Sequence, residues 1–303
     1  IFCCFGYLMV RLINKLVLGI YNNQLKDVDN KQQNMTWDNE VAIEENIPYQ
    51  EGNDNLYTYD YIYAKKEENP QVLPLIINIH GGAFCGGDKS VNKYYGAFLA
   101  KYHYQVATLN YHYAPEGNLK KQVQDCLAAI TKIVENYQKE EFFLTGDSSG
   151  SVLVLLISLL WNNEEMRNTY EVEVPEARIK ALGLTGTQAG IDMFPPFMKP
   201  FNKENRRLIL TGCEEIEKYT NIKELWTNDM PAVFIMSAEE DVCYPNCKDF
   251  DQFLTEKNHP HQSFYCKKKE EGKLYHCFNV IRPDLNCSKR MNEAMINYFN
   301  NIK

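Results

Sequence analysis

Gly146-Asp147-Ser148-Ser149-Gly150 is the stretch of this chain whose residue types and spacing could do chemistry. Three apolar residues, Phe142 to Leu144, run into it, and a long apolar run, Val152 to Trp161, leaves it. A Gly-x-Ser-x-Gly between strand and helix is the pattern of a nucleophile elbow, a turn so sharp that side chains at the glycine positions would collide with the flanking elements. The spacing selects Ser148, central between the glycines, over Ser149. Ser149 opens the predicted helix, where its backbone N–H, rather than its hydroxyl, can stabilise an oxyanion. Ser151 reads as helix interior.

A serine hydroxyl needs a base to take its proton, an acid to orient the base, and a second amide to complete an oxyanion hole. In this arrangement the acid and then the histidine follow the serine along the chain. His80, His103 and His112 precede Ser148. His259 and His261 flank Pro260 at a predicted helix end and strand start, and read as surface residues. His276, in GKLYHCFNV before the closing helix, is the expected base. VFIMSAEEDVCYP offers Glu239, Glu240 and Asp241 as the acid. Asp241 stands farthest past its strand and is preferred, with Glu240 as the fallback. INIHGGAFCGGDKS supplies Gly81, Gly82 and Ala83, consecutive small residues that let backbone N–H groups approach an anion. Gly86-Gly87 lacks the Gly-Lys-Ser/Thr ending of a phosphate loop.

The elements that must position these residues alternate. Glu40–Gln50 and Leu56–Lys66 read as an antiparallel hairpin, the second with Tyr57, Tyr59, Tyr61 and Tyr63 at the strict alternation of a half-exposed strand. Strands are then expected at 72–80, 104–113, 141–145, 179–187, 231–240 and 261–269, and helices at 118–138, 149–161, 246–257 and 288–302. Apolar strands alternating with helices predict an α/β fold, a mostly parallel sheet covered on both faces. The 191–229 block, with MFPPFMKPF, is too long for a plain crossover and reads as an inserted cap, the cap region spanning about 190–230. At the start, Met9, Val10, Ile13, Leu16, Val17 and Ile20 have the spacing of an amphipathic helix. It is expected to lie on the protein, with a membrane anchor or signal segment as the less favoured reading. Residues 22–39 read as a polar linker or loop, and the whole of 1–303 as one domain, with 1–39 an N-terminal helical or cap segment.

The chain has 303 residues, 45% of them apolar and 24% charged, as in an ordinary globular protein. Thirty-two basic against 40 acidic residues leave a net charge of −8, which speaks against nucleic acid or an anionic membrane as the main partner. Ten cysteines are too dilute for a disulfide scaffold and suit reduced thiols in a cytoplasmic protein. Cys243 and Cys247 complete no zinc pattern.

HGGAF, then NYHYAPE, then GDSSG, then HCF occur here in the order of the hormone-sensitive-lipase-like α/β-hydrolase esterases, which this chain resembles from about Val72 to Phe278. The resemblance implies an α/β-hydrolase fold with a helical cap and hydrolysis of short- to medium-chain acyl esters without cofactor or metal. It implies Ser148 as nucleophile, Asp241 as acid and His276 as base. Gly82, Ala83 and Ser149 would donate to the oxyanion, with Gly81 shaping the loop. Three departures stand out: Ala83 replaces the third glycine, His112 stands where the family carries arginine, and Asp241 lacks a following aspartate. A prolyl-oligopeptidase-type peptidase shares the elbow and triad order but needs a large extra domain. A non-catalytic small-molecule-binding protein on the same fold is the rival from another class. A small ester is the expected partner.

Overall fold

A computed structural model describes residues 31–52, 54–192 and 199–302. The amphipathic segment Met9–Ile20 and most of MFPPFMKPF lie outside the described residues.

Eight strands form one sheet: β1 (Val41–Pro48), β2 (Thr58–Ala64), β3 (Leu75–Ile79), β4 (Gln105–Leu109), β5 (Glu141–Asp147), β6 (Arg178–Thr185), β7 (Ala232–Ala238) and β8 (His261–Cys266). Their order is β1-β2-β4-β3-β5-β6-β7-β8. β1 and β2 are antiparallel to their neighbours, and β3 to β8 are parallel. The helices are α1 (Lys93–Ala100), α2 (Leu119–Asn136), α3 (Ser149–Leu160), α4 (Glu164–Tyr170), α5 (Lys199–Leu210), α6 (Ile222–Leu225), α7 (Tyr244–Glu256), α8 (Phe278–Ile281) and α9 (Asn286–Asn300).

The pleat sends neighbouring side chains to opposite faces. On β3, Leu75, Ile77 and Ile79 enter the core packed by α2 and α3, while Ile76 enters the core packed by α1 and α9. Both faces are therefore buried, and the parallel strands read as unbroken apolar runs. Each such side chain contributes roughly 1.5–3 kcal/mol through burial. α3 is buried along its whole length, which explains why its sequence is apolar all round. α2 is amphipathic and starts where Asn118 accepts a hydrogen bond from Lys121 N–H.

Two expectations are corrected. β2 is not half-exposed, because it lies between β1 and β4 and both its faces are covered. Tyr59 and Tyr61 fill one core and Ile62 the other, while buried Asp60 is neutralised by Lys89 at 2.7 Å. The segment from Lys31 to Asn39 packs against the body of the fold: Gln32 Nε2 donates to Val91 and Ile281 carbonyls, and Trp37 packs on Tyr94. His259 is not a surface residue, since its ring lies edge-on to Trp226 at 4.9 Å and its Nε2 bonds the Pro231 carbonyl. α1 and α4 went unforeseen because KYYGAFLA and EEMRNTY are too short to show periodicity.

Within 191–229, α5, a 3-10 stretch at Glu214–Tyr219 and α6 follow one another, and Gly190 pairs with Asn221 across the base of the excursion. No helix among the described residues is long and apolar enough to cross a membrane.

Candidate active site

Ser148 sits between β5 and α3 with φ 52° and ψ −124°, a backbone region that costs an L-residue about 1–3 kcal/mol. The surroundings force it. Ser148 N–H donates to Thr185 O at 2.9 Å, and Ser151 Oγ donates to Ser148 O at 2.5 Å, so Ser151 anchors the turn. A Cβ on Gly146 would lie 2.6 Å from Gly150 O, and one on Gly150 would lie 2.2 Å from Ile79 O. Both elbow glycines are therefore steric requirements.

Two loops bring the partners to this turn. His276 Nε2 lies 2.8 Å from Ser148 Oγ, and His276 Nδ1 lies 2.7 Å from Asp241 Oδ1. Asp241 is buried and also accepts from Cys243 N–H at 2.7 Å and Ser237 Oγ at 3.2 Å. Burial pushes its carboxyl up, but His276 and these donors outweigh burial and hold it below the ordinary value. For His276, burial opposes the charged form, yet the Asp241 carboxylate prevails and raises the imidazole above its ordinary value. The adjacent Cys277 thiol, pushed up to about 12 by burial, is neutral at physiological pH and brings no charge of its own. About a third of the His276 side chain (30%) remains exposed.

The structure does not place Glu240 on the histidine. Its Oε2 accepts from Leu274 N–H at 3.2 Å and Lys269 N–H at 3.4 Å, while Glu239 accepts from Lys268 N–H. These two acids tie down the loop that leads to His276.

The Gly81-Gly82-Ala83 loop leaves β3 and lies against the elbow. A Cβ on Gly81 would meet Asp147 O at 2.7 Å and Ser148 Cβ at 2.9 Å. Gly82 has φ 143°, and a Cβ there would overlap Gly86 O at 1.9 Å, which gives the second glycine pair its reason. Ala83 and Phe84 also take positive φ. The buried Phe84 ring, with its carbonyl accepting from Ala114 N–H and Gln122 Nε2, holds the loop in that conformation. Ser149 begins α3, so its N–H is a first-turn donor with no intrahelical partner, and its buried hydroxyl has no hydrogen-bond partner among the described residues.

Several contributors escaped the sequence. Asp147 is buried, and burial raises its carboxyl above the ordinary range. Its Oδ2 accepts from Gly81 N–H at 3.2 Å, and its Oδ1 accepts from Asn92 Nδ2 at 2.8 Å. Asn92 also donates to Asn78 Oδ1 at 2.6 Å, and Asn78 donates to Thr145 Oγ1. Gly186, at φ 56°, runs beneath the histidine, where a Cβ would lie 2.7 Å from His276 Cε1. Its only sequence signal was a glycine at the end of a predicted strand. His112 bonds Asp125 through Nδ1 at 2.7 Å and Asp54 through Nε2 at 3.0 Å, so two carboxylates hold the position of the expected arginine.

A BD-FAE family model matches residues 60–250, well over half of the chain. The chain belongs to the BD-FAE family. The matched span includes Gly81 to Ala83, Ser148 and Asp241; His276 lies beyond it. Esterase B from Lactobacillus rhamnosis superposes on this BD-FAE chain with a TM-score of 0.89 at 20% identity, covering 96% of this chain and 95% of that one. The hyperthermophilic esterase from the archaeon Pyrobaculum calidifontis gives 0.69 at 14% identity, covering 96% of each chain. The fold is that of the α/β-hydrolases. Lipase 2 from Moraxella sp. (strain TA144) is 32% identical over 85 residues, 26% of this chain. The chain spans 20% of that curated relative's length in this match.

Proposed function

We propose that this BD-FAE-family chain is a serine carboxylesterase that hydrolyses short- to medium-chain acyl esters through an acyl-enzyme. The observation that carries the reading is the unbroken chain Ser148 Oγ, His276 Nε2, His276 Nδ1, Asp241 Oδ1, with 2.8 Å and 2.7 Å links.

Ser148 attacks the ester carbonyl as His276 takes its proton, and Asp241 balances the imidazolium that forms. The amides of Gly82, Ala83 and Ser149 receive the oxyanion, aided by the N-terminal dipole of α3. His276 then hands its proton to the leaving alcohol. Water, deprotonated by the same imidazole, releases the acid and restores the serine. The short-chain preference draws support from one structural neighbour, esterase B, whose structure includes a tributyrin phosphonate-inhibited form. The excursion at 190–230 is the proposed cap of a single hydrolase domain. The eight described cysteines are buried free thiols, which fits a cytoplasmic setting.

The test is hydrolysis of p-nitrophenyl acetate, butyrate and longer esters by wild type and Ser148→Ala, together with fluorophosphonate labelling. Ser148→Ala is expected to lose on the order of 10⁴–10⁶-fold in kcat and all labelling. Activity surviving in Ser148→Ala at the wild-type level would refute the reading.

A further inference from the structure

Among the described residues, two groups bring three metal-ligating atoms within 4.8 Å of one another. One, Asp241, Cys243 and His276, contains two members of the proposed triad. The other stands apart from it. Cys266 ends β8, Cys287 lies in the first turn of α9, and Glu270 sits in the tight turn between them, where Lys269 pairs with Gly272. Folding alone unites them, since in sequence they match no zinc spacing.

We propose that Cys266, Glu270 and Cys287 form a binding site for a thiophilic divalent cation, zinc foremost, with water at the fourth position. Two sulfurs and a carboxylate are donors suited to zinc. A tetrahedral cation with bonds of about 2.0–2.3 Å sets its ligands roughly 3.5–3.8 Å apart, so the observed spread closes by small side-chain rotations. Both sulfurs are buried, while Glu270 is exposed and leaves an entry path from solvent.

The surrounding groups fit a ligand set. Glu270 Oε1 accepts from Arg290 Nη1 at 2.6 Å, and its Oε2 accepts from Lys267 N–H at 2.9 Å, so the carboxylate is already oriented. A dication, two thiolates, one carboxylate and the Arg290 guanidinium sum to zero charge. Glu271 accepts from the Asn286 and Cys287 N–H groups, tying the same turn to the start of α9. On binding, each thiol releases its proton to solvent as its sulfur bonds the cation, and no electron is transferred. The loaded site clamps together both ends of the segment that carries His276.

The test uses the full chain in a Cys3→Ser, Cys4→Ser, Cys243→Ser background, which removes three other thiols able to compete. The reduced, chelator-stripped protein is titrated with Cd²⁺ and Zn²⁺. The readouts are metal–thiolate ultraviolet absorption and thermal unfolding. One cation per chain and a raised Tm are expected. Cys266→Ser or Cys287→Ser should abolish uptake, and Glu270→Gln, an exposed change, should weaken it by about tenfold or more. The proposal is overturned by any of three results. The first is no thiolate band in the background protein. The second is unchanged affinity in Glu270→Gln. The third is a Cys266–Cys287 disulfide, found by peptide mapping of protein purified in reducing buffer, that leaves no cation uptake. If a cysteine variant fails to fold, the Glu270→Gln titration decides alone.

Discussion

A neutral imidazole with a carboxylate on Nδ1 and a serine hydroxyl on Nε2 has one useful tautomer. Its proton sits on Nδ1 and donates to Asp241, while Nε2 accepts from Ser148. The same carboxylate that fixes the tautomer also favours the charged ring, and His276 is raised above its ordinary value. In the proposed mechanism the base works only when neutral. The acid limb of kcat/KM against pH is therefore expected above pH 6.5, activity falling as pH drops through it and His276 takes up a proton. Asp241→Asn removes the charge that raises the ring. Its acid limb should move to lower pH, and kcat should drop on the order of 10⁴-fold. A pH profile of both proteins on one p-nitrophenyl ester checks this. An unshifted limb in Asp241→Asn would assign the ionisation to another group.

At the scale of elements, the site is a meeting of strand ends. β3 delivers Gly81 to Ala83, β5 delivers Ser148, β7 delivers Asp241, and the loop after β8 delivers His276. The register among these strands must hold to within a fraction of an ångström, and buried polar links supply part of it. Asn92, just before α1, joins Asn78 on β3 to Asp147 on β5, and Asp147 in turn holds Gly81 N–H. Asn92→Ala is expected to leave the Asp147 carboxylate short of a donor and to loosen the oxyanion loop. A stability loss of about 1–3 kcal/mol in urea unfolding should accompany it. Because the loop acts in the transition state more than in substrate binding, kcat should fall by roughly tenfold or more with KM little changed. A change confined to KM would sever this network from the oxyanion loop.

Across the whole molecule, one sheet carries two apolar faces, and the C-terminal helix closes one of them. Phe299 of α9 stacks on Phe143 of β5 at 4.4 Å, and Met295 lies against the same face beside Gly183. The strand that presents Ser148 is thus braced from behind by the end of the chain. Phe299→Ala should cost about 3–5 kcal/mol in urea unfolding, while the esterase rate at low temperature stays close to wild type. A variant that unfolds like wild type would show that the end of α9 does not brace the sheet.

Short-range constraints were legible in the chain itself. The elbow glycines, the order of serine, acid and histidine, and the α/β alternation are all written within windows of a few to about twenty residues, because steric turns and apolar periodicity are local properties. The burial of β2 is not written in its own alternation, because the partner of Asp60 is Lys89, a residue remote in sequence. The burial of His259 is non-local for the same reason, since Trp226 covers it. The sequence prefers Asp241 and keeps Glu240 as the fallback, because both leave the same strand end. Only the fold turns Asp241 towards His276 and Glu240 towards the Leu274 amide. Gly186, Asn92 and the Cys266–Glu270–Cys287 group belong wholly to tertiary structure. Each acts through a contact of a few ångströms between distant segments, and such contacts exist only once the sheet has set its register.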